Sequence, residues 1–156
     1  MNYYIGIDPG KHGAIAILNE DGSLWRLIDM PNNIGKEVYD FLYDSIEFAE
    51  GAAIVAFIEQ AQAMPKQGIK GAFVYGKGYG EIIAVLKILK IAFQEIHSLS
   101  WKREFKLLKK DKIDSVKVAE QLFPDVYVSF RSDRGRLLDG RAEAMLIAEY
   151  CRRRWR

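Results

Sequence analysis

Residues Tyr3 to Gly10, reading YYIGIDPG, constrain this chain most. An apolar, β-branched and aromatic run of this length suits a strand buried on both faces, and Pro9-Gly10 cannot continue a hydrogen-bonded ladder, so the strand ends there. That leaves one carboxylate, Asp8, at the end of a buried strand. Burying a carboxylate is costly unless it is paired or holds a cation. On this stretch alone two readings stand: Asp8 caps the turn through its own backbone, or it binds something.

The 156 residues, 49% of them hydrophobic, suffice for one well-buried core and are too few for two ordinary domains, so a single domain over 1–156 is expected. No apolar run approaches the roughly 20 residues needed to cross a bilayer, and no secretion-signal pattern opens the sequence, so a soluble, cytoplasmic protein is expected. Cys151 is the only cysteine, and the two histidines lack a CxxC partner set, which gives no zinc site of ordinary spacing. The net charge of +2 conceals an asymmetry. Residues 1–78 hold 6 Lys/Arg against 10 Asp/Glu, and residues 79–156 hold 17 against 11. Such a division points to a polyanion-facing surface in the second half, although basic residues also decorate any solvated helix.

After Gly10, Ala14–Leu18 and Ser23–Met30 read as two further strands joined by the Asn19-Glu20-Asp21-Gly22 turn signal, which implies three antiparallel N-terminal strands. Asn33–Glu50 has helical spacing at Ile34, Val38, Phe41, Leu42, Ile46 and Ala49, and Gly51 ends it. Ala52–Ile58 is again continuously apolar and closes on a second isolated acid, Glu59. A strand that returns through a helix runs parallel to its neighbour, and ligands gather at the carboxyl ends of such strands. Asp8 and Glu59 therefore occupy equivalent positions.

Gln60–Gly80 shows no helical or strand period and reads as a loop with five glycines, Lys66, Lys70, Lys77, Phe73, Tyr75 and Tyr79. Aromatics and lysines among glycines suit a nucleic-acid contact, or Phe73 and Tyr75 dock the next helix. Glu81–Phe93 is apolar nearly all round, with Gly80, Ala84, Lys87 and Lys90 as its solvent stripe and Ile91 intruding, which suits a subunit interface. Gln94–Ser98 reads as a fifth strand, making a mixed five-stranded sheet flanked by helices. From Trp101 to Lys117 seven cations crowd seventeen residues, namely Lys102, Arg103, Lys106, Lys109, Lys110, Lys112 and Lys117, dense enough for phosphate contact. Ser115–Phe123 and Leu137–Tyr150 read as helices, with the short apolar run Val126–Phe130 between them. Asp139 and Glu143, four residues apart, share a face of the last helix; like charges there repel by a few tenths of a kcal/mol, so a cation is the economical compensation. The alternative is that Asp139 is an N-cap and Glu143 is solvated. Four acids, two on strand ends and two on one helix face, are ingredients for hard divalent ions of the Mg²⁺ type.

GIDPG closing the first strand, IEQ closing the fourth, the Gly/aromatic loop, WK followed by KKDK and LFP, and DGRAEAMLIA on the last helix together resemble the RuvC-like Holliday junction resolvases, especially their phage-type members. The resemblance covers nearly the whole chain in the family's order. It implies an RNase H-like fold, a homodimer (with the 81–93 helix as a possible face), two Mg²⁺ ions for which Mn²⁺ substitutes, and paired symmetric nicks in four-way DNA junctions, in a bacterial cell or phage-infected host. By motif, Asp8 and Glu59 match the family's first two ligands and Glu143 matches the acid of its late helix. Bacterial members carry an acid or histidine three residues before that last ligand, where this chain has Gly140; Asp139 stands one residue earlier, as a ligand or as a cap. Lys102 and Lys112 match basic positions near the family's cleavage site, and Phe73 resembles the residue that wedges into the junction. Lys66, Lys70, Tyr75, Lys77, Arg103, Lys109 and Lys110 complete the expected DNA contacts. A different RNase H-like nuclease, acting on RNA/DNA hybrids or flaps, and a non-cleaving branched-DNA binding module remain the alternatives.

Overall fold

A computed structural model describes residues 2–62 and 68–155. The strands are β1 (Asn2–Asp8), β2 (Ala14–Leu18), β3 (Leu24–Asp29), β4 (Ala53–Glu59) and β5 (Ala92–Ile96). The helices are α1 (Ile34–Phe48), α2 (Ile69–Ile88), α3 (Ser98–Glu104), α4 (Lys112–Leu122) and α5 (Asp139–Arg154). One sheet of order β3-β2-β1-β4-β5 carries them. β1, β2 and β3 are antiparallel neighbours, whereas β4 lies parallel to β1 and to β5. The mixed five-stranded sheet expected from the sequence is therefore present.

Period-two alternation assigns the two faces of the sheet. Tyr3, Ile5, Ile7, Ile15, Ile17, Ala56 and Ile58 meet α1 and α2 on one face. Ala14, Ala16, Leu18, Val55 and Phe57 meet α3, α4 and α5 on the other. By the same alternation Gly6 and Asp8 of β1, and Glu59 of β4, point to the α5 side. The parallel register pairs Ile7 with Ile58, so the next residues along, Asp8 and Glu59, end side by side.

Gly6 sets how closely α5 approaches. A Cβ there would lie 2.1 Å from the Ala144 carbonyl oxygen and 2.2 Å from the Ala148 nitrogen, so the helix backbone rests directly on β1. Gly140 repeats this one turn before Glu143, where a Cβ would lie 2.0 Å from the His12 carbonyl oxygen.

Three segments differ from the sequence reading. The region 60–80, read as a loop, is helical from Ile69 onward despite its glycines, each of which costs a helix about 1 kcal/mol. Gly78 has a packing reason, because a Cβ there would meet Ile34 Cδ1 at 2.7 Å where α2 crosses α1, while Gly76 and Gly80 face open space. Lys66 lies outside the described residues. The apolar helix read over 81–93 stops at Ile88: Lys90 adopts φ 55°, and the Ile91 and Lys90 amides donate to the Leu86 and Lys87 carbonyls, a Schellman end with lysine in the left-handed position. Ile91 is thereby buried rather than intruding on the solvent stripe, and the fifth strand starts at Ala92. The last helix, read over 137–150, starts instead at Asp139 and runs on through Arg154, and the stretch before it makes the isolated bridge Arg131–Leu137.

Gly6→Ala is expected to drive α5 off β1, lowering the urea midpoint by an amount worth roughly 1–3 kcal/mol.

Candidate active site

The four acids come from three elements and meet at one end of the sheet. Asp8 is held where β1 turns: its Oδ1 accepts the Gly10 amide at 3.1 Å, and a Cβ on Gly13 would lie 2.9 Å from its Cγ. The cap reading of Asp8 is thus satisfied, yet the residue is also electrostatically joined to the other acids. Its carboxyl is pushed up to about 7, first by burial and then by the Glu143 carboxylate, with Glu59 and Asp139 adding and the Gly10 hydrogen bond opposing. Glu143 is raised in turn, by burial first; Lys102 opposes, Glu59 and Asp139 add, and Lys112 opposes. Repulsion among these carboxylates is the electrostatic signature of a site that wants a cation.

Each acid has a positioning partner. Trp101 is fully buried, and its Nε1–H donates to Glu59 Oε2 at 2.6 Å, tying a core side chain to a site carboxylate. Ser115 Oγ donates to Glu143 Oε1 at 3.4 Å. Lys112 forms an ion pair with Asp139, and the hydrogen bond holds the lysine above its ordinary range. Lys102 sits 5.2 Å from the centre of the Trp101 ring and within the field of Glu143. Tyr75, on the second turn of α2, is half-buried and pushed up to about 12, by burial and then by Asp8 and Glu59, which places it beside the site from the opposite face.

The remaining expected DNA contacts scatter. Phe73 is 73% exposed on α2, and Lys70 is exposed near it. Lys77 pairs loosely with Glu81 at 3.8 Å. Arg103, Lys109 and Lys110 are exposed on α3 and the turn after it. The C-terminal arginines, counted in the positive half, are neutralised: Arg152 and Arg153 pair with the buried Glu149, and Arg153 and Arg154 with Glu104. Cys151 is buried in the core, its thiol pushed well up by burial. Sequence reasoning did not assign Trp101 and Ser115 as partners of the acids; a tryptophan beside a basic run reads equally as core or nucleic-acid contact.

Among the described residues no three acidic, histidine or cysteine side chains form a ready-made metal cage. The donor chemistry nevertheless fits a hard divalent cation, because the convergent groups are carboxylates whose mutual repulsion a cation would relieve.

The architecture is that of the RNase H-like fold. Two solved structures of Thermus thermophilus RuvC, one of them in complex with a Holliday junction substrate, superpose on this chain with a TM-score of 0.65 at 13% identity, covering 94% of this chain and 90% of theirs. The chain thus has a RuvC-like fold. No protein-family model matches the sequence, and no curated protein matches it.

The native state holds a proton on Asp8 up to about pH 7, whereas the unfolded chain releases it near 3.8. The stabilisation tied to that proton is complete at low pH and is lost as pH rises through 7. In EDTA, stability measured by urea unfolding is expected to fall by roughly 3 kcal/mol between about pH 4 and 7, and Asp8→Asn to flatten that dependence.

Proposed function

We propose that this protein is a divalent-metal-dependent endonuclease that resolves four-way DNA junctions. The observation that carries the reading is the meeting of Asp8, Glu59, Asp139 and Glu143 in one mutually repelling cluster on a RuvC-like fold, with Lys102 and Lys112 at its margin. The T. thermophilus RuvC structure with a Holliday junction supports branched DNA as the substrate class.

Asp8, Glu59 and Glu143 are the residues that would hold Mg²⁺ or Mn²⁺, with Asp139 joining them once Lys112 lets go. Bound there, two such ions supply activation of a water and stabilisation of the leaving oxygen in phosphodiester hydrolysis. The chain's own contributions are positional and electrostatic. Trp101 fixes the direction of the Glu59 carboxylate, and Ser115 that of Glu143. Lys112, now neutralised by Asp139, exchanges that partner for a phosphate oxygen when DNA arrives, while Lys102 stabilises charge on the same phosphate. Tyr75 and exposed Phe73 on α2 face the bases. A homodimer supports paired symmetric nicks, and its proposed face is the outer stripe of the later turns of α2, where Gly80, Ala84 and Ile88 are exposed in helical register.

A synthetic immobile four-way junction, offered beside matched duplex and RNA/DNA hybrid, tests the reading. Asp8→Asn and Glu143→Gln are expected to bind the junction and leave it intact in Mg²⁺; undiminished nicking by either sinks the metal-site assignment, and preferential cutting of the hybrid shifts the substrate to another class. Trp101→Phe, which replaces the indole by a smaller aromatic ring and removes the N–H, is expected to slow nicking by about 10–100-fold, with binding of the junction preserved.

A further inference from the structure

Toward the β3 edge of the sheet, next to Asp139, a cleft of about 370 Å³ opens between the β1–β2 turn, the end of β3 and the starts of α4 and α5. Its charged lining divides into two groups. Asp29 is clasped by Arg141 through two 2.7 Å contacts, and Asp139 by Lys112, so those four charges cancel in pairs. Lys11, His12 and Arg136 remain, all exposed and all without a side-chain hydrogen bond or ion pair among the described residues. The cleft therefore presents two uncompensated positive charges and an imidazole beside the acid cluster.

The backbone that carries these groups is braced. The Gly13 amide donates to the Gly10 carbonyl at 2.8 Å, and Met30 donates to the Gly13 carbonyl at 2.9 Å. The His12 carbonyl is pressed against Gly140 of α5. Arg136 stands on a tight turn in which Ser132 donates to the Arg136 carbonyl at 2.9 Å and Gly135 to the Ser132 carbonyl at 2.8 Å, closed by the Arg131–Leu137 bridge. Cations held on braced turns around a concave, polar cleft suit an anion of phosphate size.

We propose that this cleft is a phosphate-binding subsite in which Lys11 and Arg136, with His12 as a hydrogen-bonding partner, grip the backbone phosphate neighbouring the one placed over Asp8. The subsite rests on the nuclease reading above and deepens it by naming where the cut strand is held. It also fixes a path: the strand crosses the carboxyl ends of β4 and β1 and leaves over the β1–β2 turn toward β3.

The test is anisotropy of a labelled four-way junction, and of a single-stranded oligonucleotide of one arm, in EDTA over about 50–200 mM salt. K11A/R136A is expected to weaken both complexes at least tenfold and to reduce the slope of log affinity against log salt by about 1 to 2, while K11R/R136K keeps wild-type values. All three groups are exposed, so melting of K11A/R136A is expected to match wild type. Unchanged affinity and slope in K11A/R136A, with wild-type protein binding the junction, overturns the subsite and leaves the nuclease reading intact. Weakening of K11R/R136K to the same degree as K11A/R136A also overturns it, because charge would not then be what binds. Absence of any binding by the wild type removes the nuclease reading and the subsite together, and that outcome is distinct from the other two.

Discussion

Backbone contact between α5 and β1 governs the rest of the molecule. Gly6 removes the side chain that would separate the two elements, and Gly140 does the same where α5 meets the β1–β2 turn at His12 and Gly13, so backbone rests directly on backbone at both points. Glu143 is thereby set near Asp8, where its carboxylate raises the proton affinity of the aspartate. Repulsion of that kind would ordinarily push a helix away. Here it is opposed by the burial of Ala142, Met145, Leu146 and Ile147 on the same helix, so the apolar face of α5 holds the polar one in position.

The two faces of the sheet divide the labour. The face under α3, α4 and α5 holds the acids and the groups that orient them: Trp101 on Glu59, Ser115 on Glu143, Lys112 on Asp139. The face under α1 and α2 is apolar, built from aliphatic side chains with Tyr3 and Phe41 among them, and Tyr75 of α2 is the tyrosine on that side whose charge state Asp8 and Glu59 perturb directly. Positive charge is sorted as well. The arginines at the end of α5 are consumed by Glu149 and Glu104, whereas Lys11 and Arg136 are left uncommitted near the acids. Counting charges along the chain cannot separate these two populations, because partnership is set by the fold.

Much of this was legible in the sequence. Asp8 before Pro9 and Glu59 after an unbroken apolar run declare strand ends, and the four-residue step from Asp139 to Glu143 declares a shared helix face. What sequence alone could not give is instructive. The glycines of 71–80 argue against a helix locally, and tertiary support from Ile82, Val85 and Leu86 further along α2 overrides them. The early end of α2 depends on Lys90 taking a left-handed conformation that glycine usually fills, so no composition signal marks it. Trp101 and the Lys11–Arg136 cleft are products of long-range packing, which brings residues from distant segments to one edge.

The acids also differ in when they become available. Asp8 and Glu59 lie in the first half of the chain and Asp139 and Glu143 near its end, so the cluster is assembled from contacts of long sequence separation. A chain still emerging from the ribosome can pair β1 with β2 and β4, but until α5 has docked on Gly6 it carries only half of the carboxylates. Any activity that depends on all four is therefore silent during synthesis and appears only with the last helix, an ordering written into the topology rather than imposed by an inhibitor.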